Sequence, residues 1–313
     1  MKNQNLVCDP DSIVLSIIIP CYNEEQNIEE IYKKLHLILT NIKYKYEIIF
    51  IDDGSVDETL IKLIGLSQSD KNVRVLELSR NFGHQAAICA GIDYAEGKAV
   101  IMMDADLQHP PELIPELIKK WEEGYDIVYT IRKYSNNVSF FKKITSRIFY
   151  KLINKFANIN IPENSADFRL LDYTVIKEFK KLKEREKFIR GLISWMGFKQ
   201  CAIEYIASPR FAGNSKYSLL KMIKLALVGI TSFSAFPLRI ATILGFLISI
   251  FSFIYASYAL CIWLFLKITI PGWTSVIVTV LFLGGIQLIC TGIVGEYLGR
   301  VFDETATCKI SSP

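Results

Sequence analysis

Two carboxylates and an amide oxygen lie close together in Asp104-Ala105-Asp106-Leu107-Gln108, directly after the apolar run Val100-Ile101-Met102-Met103. Hard oxygen ligands at this density suit Mg2+ or Mn2+. A divalent ion held there could neutralise a diphosphate leaving group, the main electrostatic task when the bond between a sugar and a nucleotide diphosphate breaks. Asp-x-Asp triplets also occur on ordinary surface turns, so this one gains meaning only from the company it keeps. His109 follows, as a fourth ligand or, ahead of Pro110-Pro111, as a turn residue, and the prolines favour the turn. A second cluster, Asp52-Asp53-Gly54-Ser55, closes another apolar run. Part of it reads as a strand-ending turn with an N-cap serine. Its functional reading is a carboxylate facing a nucleotide's base or ribose, with Pro20, Tyr22 and Glu24 lining the same pocket.

These clusters need elements to position them, and the chain supplies strands and helices in alternation. Val14–Pro20 is a continuous β-branched run, as expected of a strand buried on both faces. Helical spacing of Ile28, Ile31, Leu35 and Ile38 predicts a helix over Asn23–Thr40. Strands are expected at Tyr46–Ile51, Val73–Leu78, Ala99–Met103 and Asp126–Thr130, and helices at Val56–Ser67, Gln85–Ala95 and Pro111–Glu122. Such alternation with short turns implies a mainly parallel, doubly wound sheet, whose ligands bind beyond the carboxyl ends of the strands. Tyr22-Asn23-Glu24, Asp52-Asp53-Gly54-Ser55, Asp104-Ala105-Asp106 and Arg132 all fall at strand ends. Neither GxGxxG nor GxxxxGK[ST] is present, which argues against dinucleotide and NTPase sites.

A mean hydropathy of +0.27 over 313 residues conceals two unlike parts. From Ile240 to Gly295 the only charge is Lys267, and the run breaks at Ile270-Pro271-Gly272-Trp273. Ile240–Leu266 and Ser275–Gly295 each reach the roughly 20 apolar residues that cross a bilayer core. Lys216, Lys221, Lys224 and Arg239 precede the first span, and Arg300 and Lys309 follow the second. The positive-inside rule then puts both termini in the cytoplasm, at the inner (plasma) membrane. Ser139–Phe156 and Tyr217–Phe236 mix aromatic and basic residues and read as helices lying on an anionic lipid surface, although the first also fits a helix on the protein's own core. The domain plan is a catalytic part at 1–210, interfacial helices at 211–239, two spans within 240–300 and a cytoplasmic tail at 301–313. A net charge of +4 is too small to suggest nucleic acid. Seven scattered cysteines without a CxxC pair argue against structural zinc and a disulfide framework. Met1–Ser12 is polar and gives no sign of a signal peptide.

The runs SIIIPCYNEEQNI, EIIFIDDGSVDET, LSRNFGHQAAICAGIDYAEG and MMDADLQHPPELIPELI, continued by Ala166-Asp167-Phe168-Arg169 and Arg210-Phe211-Ala212-Gly213-Asn214-Ser215-Lys216-Tyr217, resemble glycosyltransferase family 2. Within it the chain is most similar to the polyprenyl-phosphate glycosyltransferases, over roughly Ser16 to Arg300. The resemblance implies a GT-A type α/β fold and an inverting transfer of one sugar, glucose from UDP-glucose as first choice, to a polyprenyl phosphate. It implies that Pro20, Tyr22, Glu24, Ile51, Asp53, Asp104 and Ala105 meet the nucleotide sugar, and that Asp104, Asp106 and Gln108 hold Mg2+ or Mn2+. It further implies phosphate contacts from Arg132, Arg210 and Lys216, with Asp167 and Arg169 at the reacting centre. Relatives often carry an acidic residue where Val228 stands, and a more basic tail than Asp303–Pro313.

A physical argument runs parallel. A lipid phosphate is anionic at neutral pH, so its oxygen is a nucleophile that needs little proton removal. Such a site needs positive charge to bring two anionic substrates together, and Arg132, Arg169, Arg210 and Lys216 are the candidates. Asp167 is then expected to orient the acceptor or Arg169 rather than to act as an obligatory base. The same motifs fit galactose, N-acetylhexosamine or mannose donors, and a homo-oligomer is compatible with the hairpin. An inactive scaffold of the same fold is the rival of another class, opposed by the intact acidic triplet. A processive polysaccharide synthase would need QxxRW and more spans, and neither is present.

Overall fold

The structure is a computed structural model and describes residues 13–133, 162, 165–182, 189–206, 236–266 and 272–305. It divides into two compact units, an α/β unit whose described elements run from Leu15 to Ile206 and a helical unit whose described elements run from Phe236 to Thr305.

The α/β unit is built on strands β1 (Leu15–Cys21), β2 (Tyr46–Asp52), β3 (Val73–Glu77), β4 (Ala99–Met102), β5 (Ile127–Lys133), β6 (Ser165–Asp172) and β7 (Gln200–Ile206). They form one sheet in the order β3-β2-β1-β4-β6-β5-β7. Every neighbouring pair is parallel except those of β6, which runs antiparallel to β4 and β5. The mainly parallel sheet expected from strand–helix alternation is therefore present. Its interior strand β1 is buried at every residue, which is why its sequence shows no polar alternation.

Helices α1 (Ile28–Leu39), α2 (Thr59–Ser69), α3 (His84–Tyr94), α4 (Ile114–Glu122), α5 (Tyr173–Lys181) and α6 (Ile189–Trp195) complete the described part of the unit, with a 3-10 turn at Pro111–Leu113 leading into α4. One apolar layer packs Ile28, Ile31 and Leu35 of α1 and Leu117 and Trp121 of α4 with Ile17, Phe50, Ile101 and Phe168 of the sheet. On α3, a Cβ at Gly91 would lie 2.3 Å from Ile18 Cγ2, so the helix sits against β1 at a distance only glycine allows.

Strand β5 runs on to Lys133 rather than ending at Thr130, and two helix starts differ from expectation for physical reasons. Helix α1 starts at Ile28 rather than near Asn23, because residues 23–27 are tied to the loop after β2. Helix α2 starts at Thr59 rather than Val56, which is 86% exposed on the loop. Strands β6 and β7 and helices α5 and α6 carry no expectation from periodicity. Strand β6 is buried along almost its whole length yet contains Asp167 and Arg169, a composition that masks a buried strand.

The helical unit comprises α7 (Phe236–Leu266) and α8 (Trp273–Thr305). Cys290 Sγ of α8 approaches the Ala241 carbonyl of α7 at 3.9 Å. Windows of 18 residues at Leu238–Tyr255 and Phe282–Gly299 have mean hydropathies of 2.0 and 1.3, and neither window is buried by protein. Phe251, Phe265 and Leu288 are 77%, 84% and 74% exposed. Long apolar helices with such faces are matched to lipid rather than water. Helix α8 runs past Gly295 to Thr305, since charged residues limit how deep a helix sits in lipid and do not end the helix.

The expected interfacial segment Ser139–Phe156, all of Tyr217–Phe236 except Phe236, the phosphate-binding candidates Arg210 and Lys216, and tail residues 306–313 lie outside the described residues.

Candidate active site

Strands β1, β2 and β4 point their carboxyl ends to one edge of the sheet. Antiparallel β6 brings its amino end to that same edge, with Met102 opposite Arg169. Asp52 and Asp53, Asp104 and Asp167 are thereby gathered from three separate stretches of sequence.

The loops after β1 and β2 are laced together. Asn23, at φ +53°, donates its N–H to Ser55 Oγ at 3.0 Å, and Val56 N–H donates to Asn23 Oδ1 at 2.9 Å. Glu24 N–H donates to Thr59 Oγ1 at 2.8 Å, and Asn27 Nδ2 donates to Glu24 Oε2 at 2.6 Å. Ser55 N–H donates to Asp52 Oδ2 at 3.1 Å, so this serine belongs to the turn, but it is not the expected N-cap, because α2 begins at Thr59 with Glu58 before it. Asp53 is buried and accepts from Phe82 N–H at 2.8 Å and Gly83 N–H at 3.0 Å. Burial raises its pKa, and those two donors pull it back part of the way. Gly54 has φ +67°, and a Cβ there would lie 2.6 Å from the Arg80 carbonyl carbon. Pro20 and Ile51 are paired across β1 and β2, and the Ile51 side chain is fully buried beneath α3. Tyr22 is half-buried at the end of β1.

The loop after β4 folds back on itself. Asp104 N–H donates to His109 Nδ1 at 3.0 Å, and Gln108 N–H donates to Asp106 Oδ1 at 3.1 Å. Leu107 takes φ +59°, which turns the chain between the two carboxylates and His109. The His109 ring stacks on Phe168 with centroids 5.4 Å apart and stands edge-on to Tyr205 at 6.2 Å. His109 is thus spent on holding the loop, the turn role its place before two prolines favours. Ala105 is buried beneath the loop. Arg132 Nη2 donates to Gln108 Oε1 at 3.0 Å, which ties β5 to the loop.

Asp167 is 6% exposed and is clasped by Arg190, whose Nε and Nη2 both donate at 2.6 Å. Arg169 Nη2 lies 3.8 Å from the same carboxylate and donates to the Ala166 carbonyl at 2.8 Å. His84 Nε2 stands between two acids, 3.3 Å from Asp104 Oδ1 and 3.7 Å from Asp167 Oδ2. Burial works against a charge on His84, but Asp104 and Asp167 outweigh it and push its pKa up to about 9. Burial likewise opposes the charge on Asp167, yet Arg190 and His84 hold its carboxyl well below the usual range. Neither His84 nor Arg190 was singled out from the sequence. His84 lies inside a motif run, whereas Arg190 sits on α6, whose place beside β6 no local pattern reveals.

The chemistry of the donor set fits a divalent cation. Asp104 Oδ1 is buried and accepts no hydrogen bond, with His84 Nε2 approaching it at 3.3 Å as an ion-pair partner, and Asp106 follows two residues on. Among the described residues no group of three or more His, Cys, Asp or Glu side chains closes around one point. The protein therefore offers one or two carboxylates, the share typical of Mg2+ and Mn2+ sites completed by substrate phosphates and water. Of the residues expected at the reaction, the structure brings together Asp53, Asp104, Asp106, Gln108, Arg132, Asp167 and Arg169 at one edge of the sheet.

The sequence profile of Glycosyl transferase family 2 matches residues 16–179. The "Uncharacterized glycosyltransferase sll0501" of Synechocystis sp. is 48% identical over 94% of this chain and 92% of its own length. The "Prophage bactoprenol glucosyl transferase homolog" of Escherichia coli is 42% identical over 93% of this chain and 95% of its own length. Among solved structures, Staphylococcus aureus TarS (residues 1–349, with UDP-GlcNAc) aligns with a TM-score of 0.48 and 19% identity, over 70% of this chain and 66% of that one.

Proposed function

The chain belongs to glycosyltransferase family 2, and on that premise we propose that it transfers one sugar from a nucleotide diphosphate sugar to a polyprenyl phosphate at the cytoplasmic face of a membrane, with inversion at the sugar carbon. Glucose from UDP-glucose is the first choice of donor. The observation that carries the reading is the edge where the Asp104 loop, His84, Asp167, Arg190 and Arg132 converge, in a chain that also holds two helices long and apolar enough to span a membrane. The likeness to a bactoprenol glucosyl transferase homolog over nearly the whole chain supports a lipid phosphate as acceptor.

In this reading the acceptor phosphate oxygen attacks the anomeric carbon from the face opposite the nucleotide, and the bond to the diphosphate breaks. The attacking oxygen is already anionic, so no base has to remove a proton. That agrees with Asp167, whose carboxylate is clasped by a guanidinium and is a poor proton acceptor. Its role is to fix Arg190, Arg169 and His84 as a cationic wall toward the anionic substrates. Asp53, held by two backbone donors, presents a rigid acceptor beside the nucleotide pocket. Asp104 and Asp106 would hold Mg2+ or Mn2+, which would neutralise charge on the departing diphosphate, while the Gln108 amide oxygen accepts from Arg132.

The test is transfer by the purified full chain, given Mg2+ or Mn2+, undecaprenyl phosphate and a panel of labelled nucleotide sugars. Sugar appearing on the lipid with one donor supports the reading and names the donor. If nucleotide binds but no donor yields a glycolipid, the chain is a scaffold that kept the fold and lost the reaction.

A further inference from the structure

Tyr205 lies near the end of β7, in register beside Arg132 of β5. The residue is 5% exposed, and its ring is fixed edge-on against His109. Its hydroxyl is buried with no hydrogen-bond partner. Leaving such a group unpaired is destabilising, and buried polar groups in folded proteins are overwhelmingly paired. A phenylalanine would fill the same space against His109 without that penalty.

Burial pushes the phenol up to about 12, Asp104 and Asp106 act in the same direction, and Arg132 and Arg190 oppose them. Paired in register with Arg132, the residue lies toward the sheet edge that carries the site, and the raised phenol remains a proton donor. A neutral O–H donor next to a guanidinium is a pair suited to an anionic oxygen, since hydrogen bonds to charged acceptors are the strong ones.

We propose that Tyr205 is a substrate-binding residue whose hydroxyl donates a hydrogen bond to a phosphate oxygen of a bound substrate, beside Arg132. This rests on the glycosyl-transfer reading above. Both the donor diphosphate and the acceptor phosphate offer such an oxygen, and affinities measured separately tell them apart.

The experiment compares the full chain with Tyr205→Phe, which removes one oxygen and keeps the ring contact. Three quantities are read: Tm, the Kd for UDP (or for GDP if the wild type binds that instead), and the KM for undecaprenyl phosphate. Tm is expected to stay level or rise. A Kd raised about tenfold assigns the hydroxyl to the donor diphosphate, the size expected for one hydrogen bond to a charged oxygen. An unchanged Kd with a KM raised by a similar factor assigns it to the acceptor. Unchanged Kd and KM overturn the proposal. A fall in Tm overturns it as well, because the hydroxyl would then have been bonded within the protein. A wild type that binds neither nucleotide and transfers no sugar overturns the functional reading, and this inference with it.

Discussion

At the scale of single residues, the carboxylates of the site differ in which protein groups engage them. Asp167 has both oxygens taken by Arg190. Asp167→Asn is therefore expected to lower kcat by roughly tenfold through a misplaced Arg190, and Arg190→Lys by a similar factor. The double variant should lose little more than either single one, because the two residues act as a unit; additive losses would show that Asp167 works independently. The pH dependence has two signs. Asp167 is depressed on folding, so its contribution to stability is present above the ordinary value of 3.8 and fades as pH falls below it. His84 is raised, so its contribution is complete below 6.5 and fades as pH climbs through about 9. The difference in Tm between wild type and His84→Gln should accordingly shrink over the alkaline range and stay level near pH 6. Asp106→Ala should abolish transfer; wild-type rates in that variant with metal chelated would contradict a cation at the triplet.

At the scale of elements, the site depends on turns that hold the polar strand ends in place. Gly54 combines a positive φ with backbone of Arg80 too near for a Cβ. Gly54→Ala should therefore destabilise the chain by more than about 1 kcal/mol, read from denaturant midpoints in detergent. It should also weaken nucleotide binding, because Asp53 and the Phe82–Gly83 amides flank the same turn. Strands β1, β2 and β4 were legible because a parallel strand covered on both faces leaves an apolar run, whereas the edge strand β3 shows only the alternating Val73 and Val75. Strand β6 was hidden by the two charges it buries, which only the partners Arg190 and the Ala166 carbonyl make tolerable. The start of α1 was misplaced for a related reason. Asn23 and Glu24 have the types of a helix entry, yet their backbone groups bond to Ser55 and Thr59 some thirty residues on.

At the scale of the whole molecule, an α/β unit bearing the site shares one chain with a pair of helices suited to lipid. Helix α7, with 31 residues, is about 46 Å long at 1.5 Å per residue, more than the roughly 30 Å of a hydrocarbon core. The full chain is expected to pellet with membranes and to resist salt and alkaline washing, leaving only with detergent. A fluorescent reporter fused after Pro313 should stay folded and protected inside intact cells; digestion from outside would reverse the proposed orientation. The sequence by itself determined the apolar spans, the strand ends where polar clusters gather and the acidic triplet, because each is written in residues adjacent along the chain. Only the tertiary structure decided that His84 stands between Asp104 and Asp167, that Arg190 clasps Asp167 and that the Tyr205 hydroxyl is left unpaired. Those relations join strands and helices far apart in sequence. The contacts of Asp167 exist because antiparallel β6 carries its amino end to the edge where the parallel strands finish.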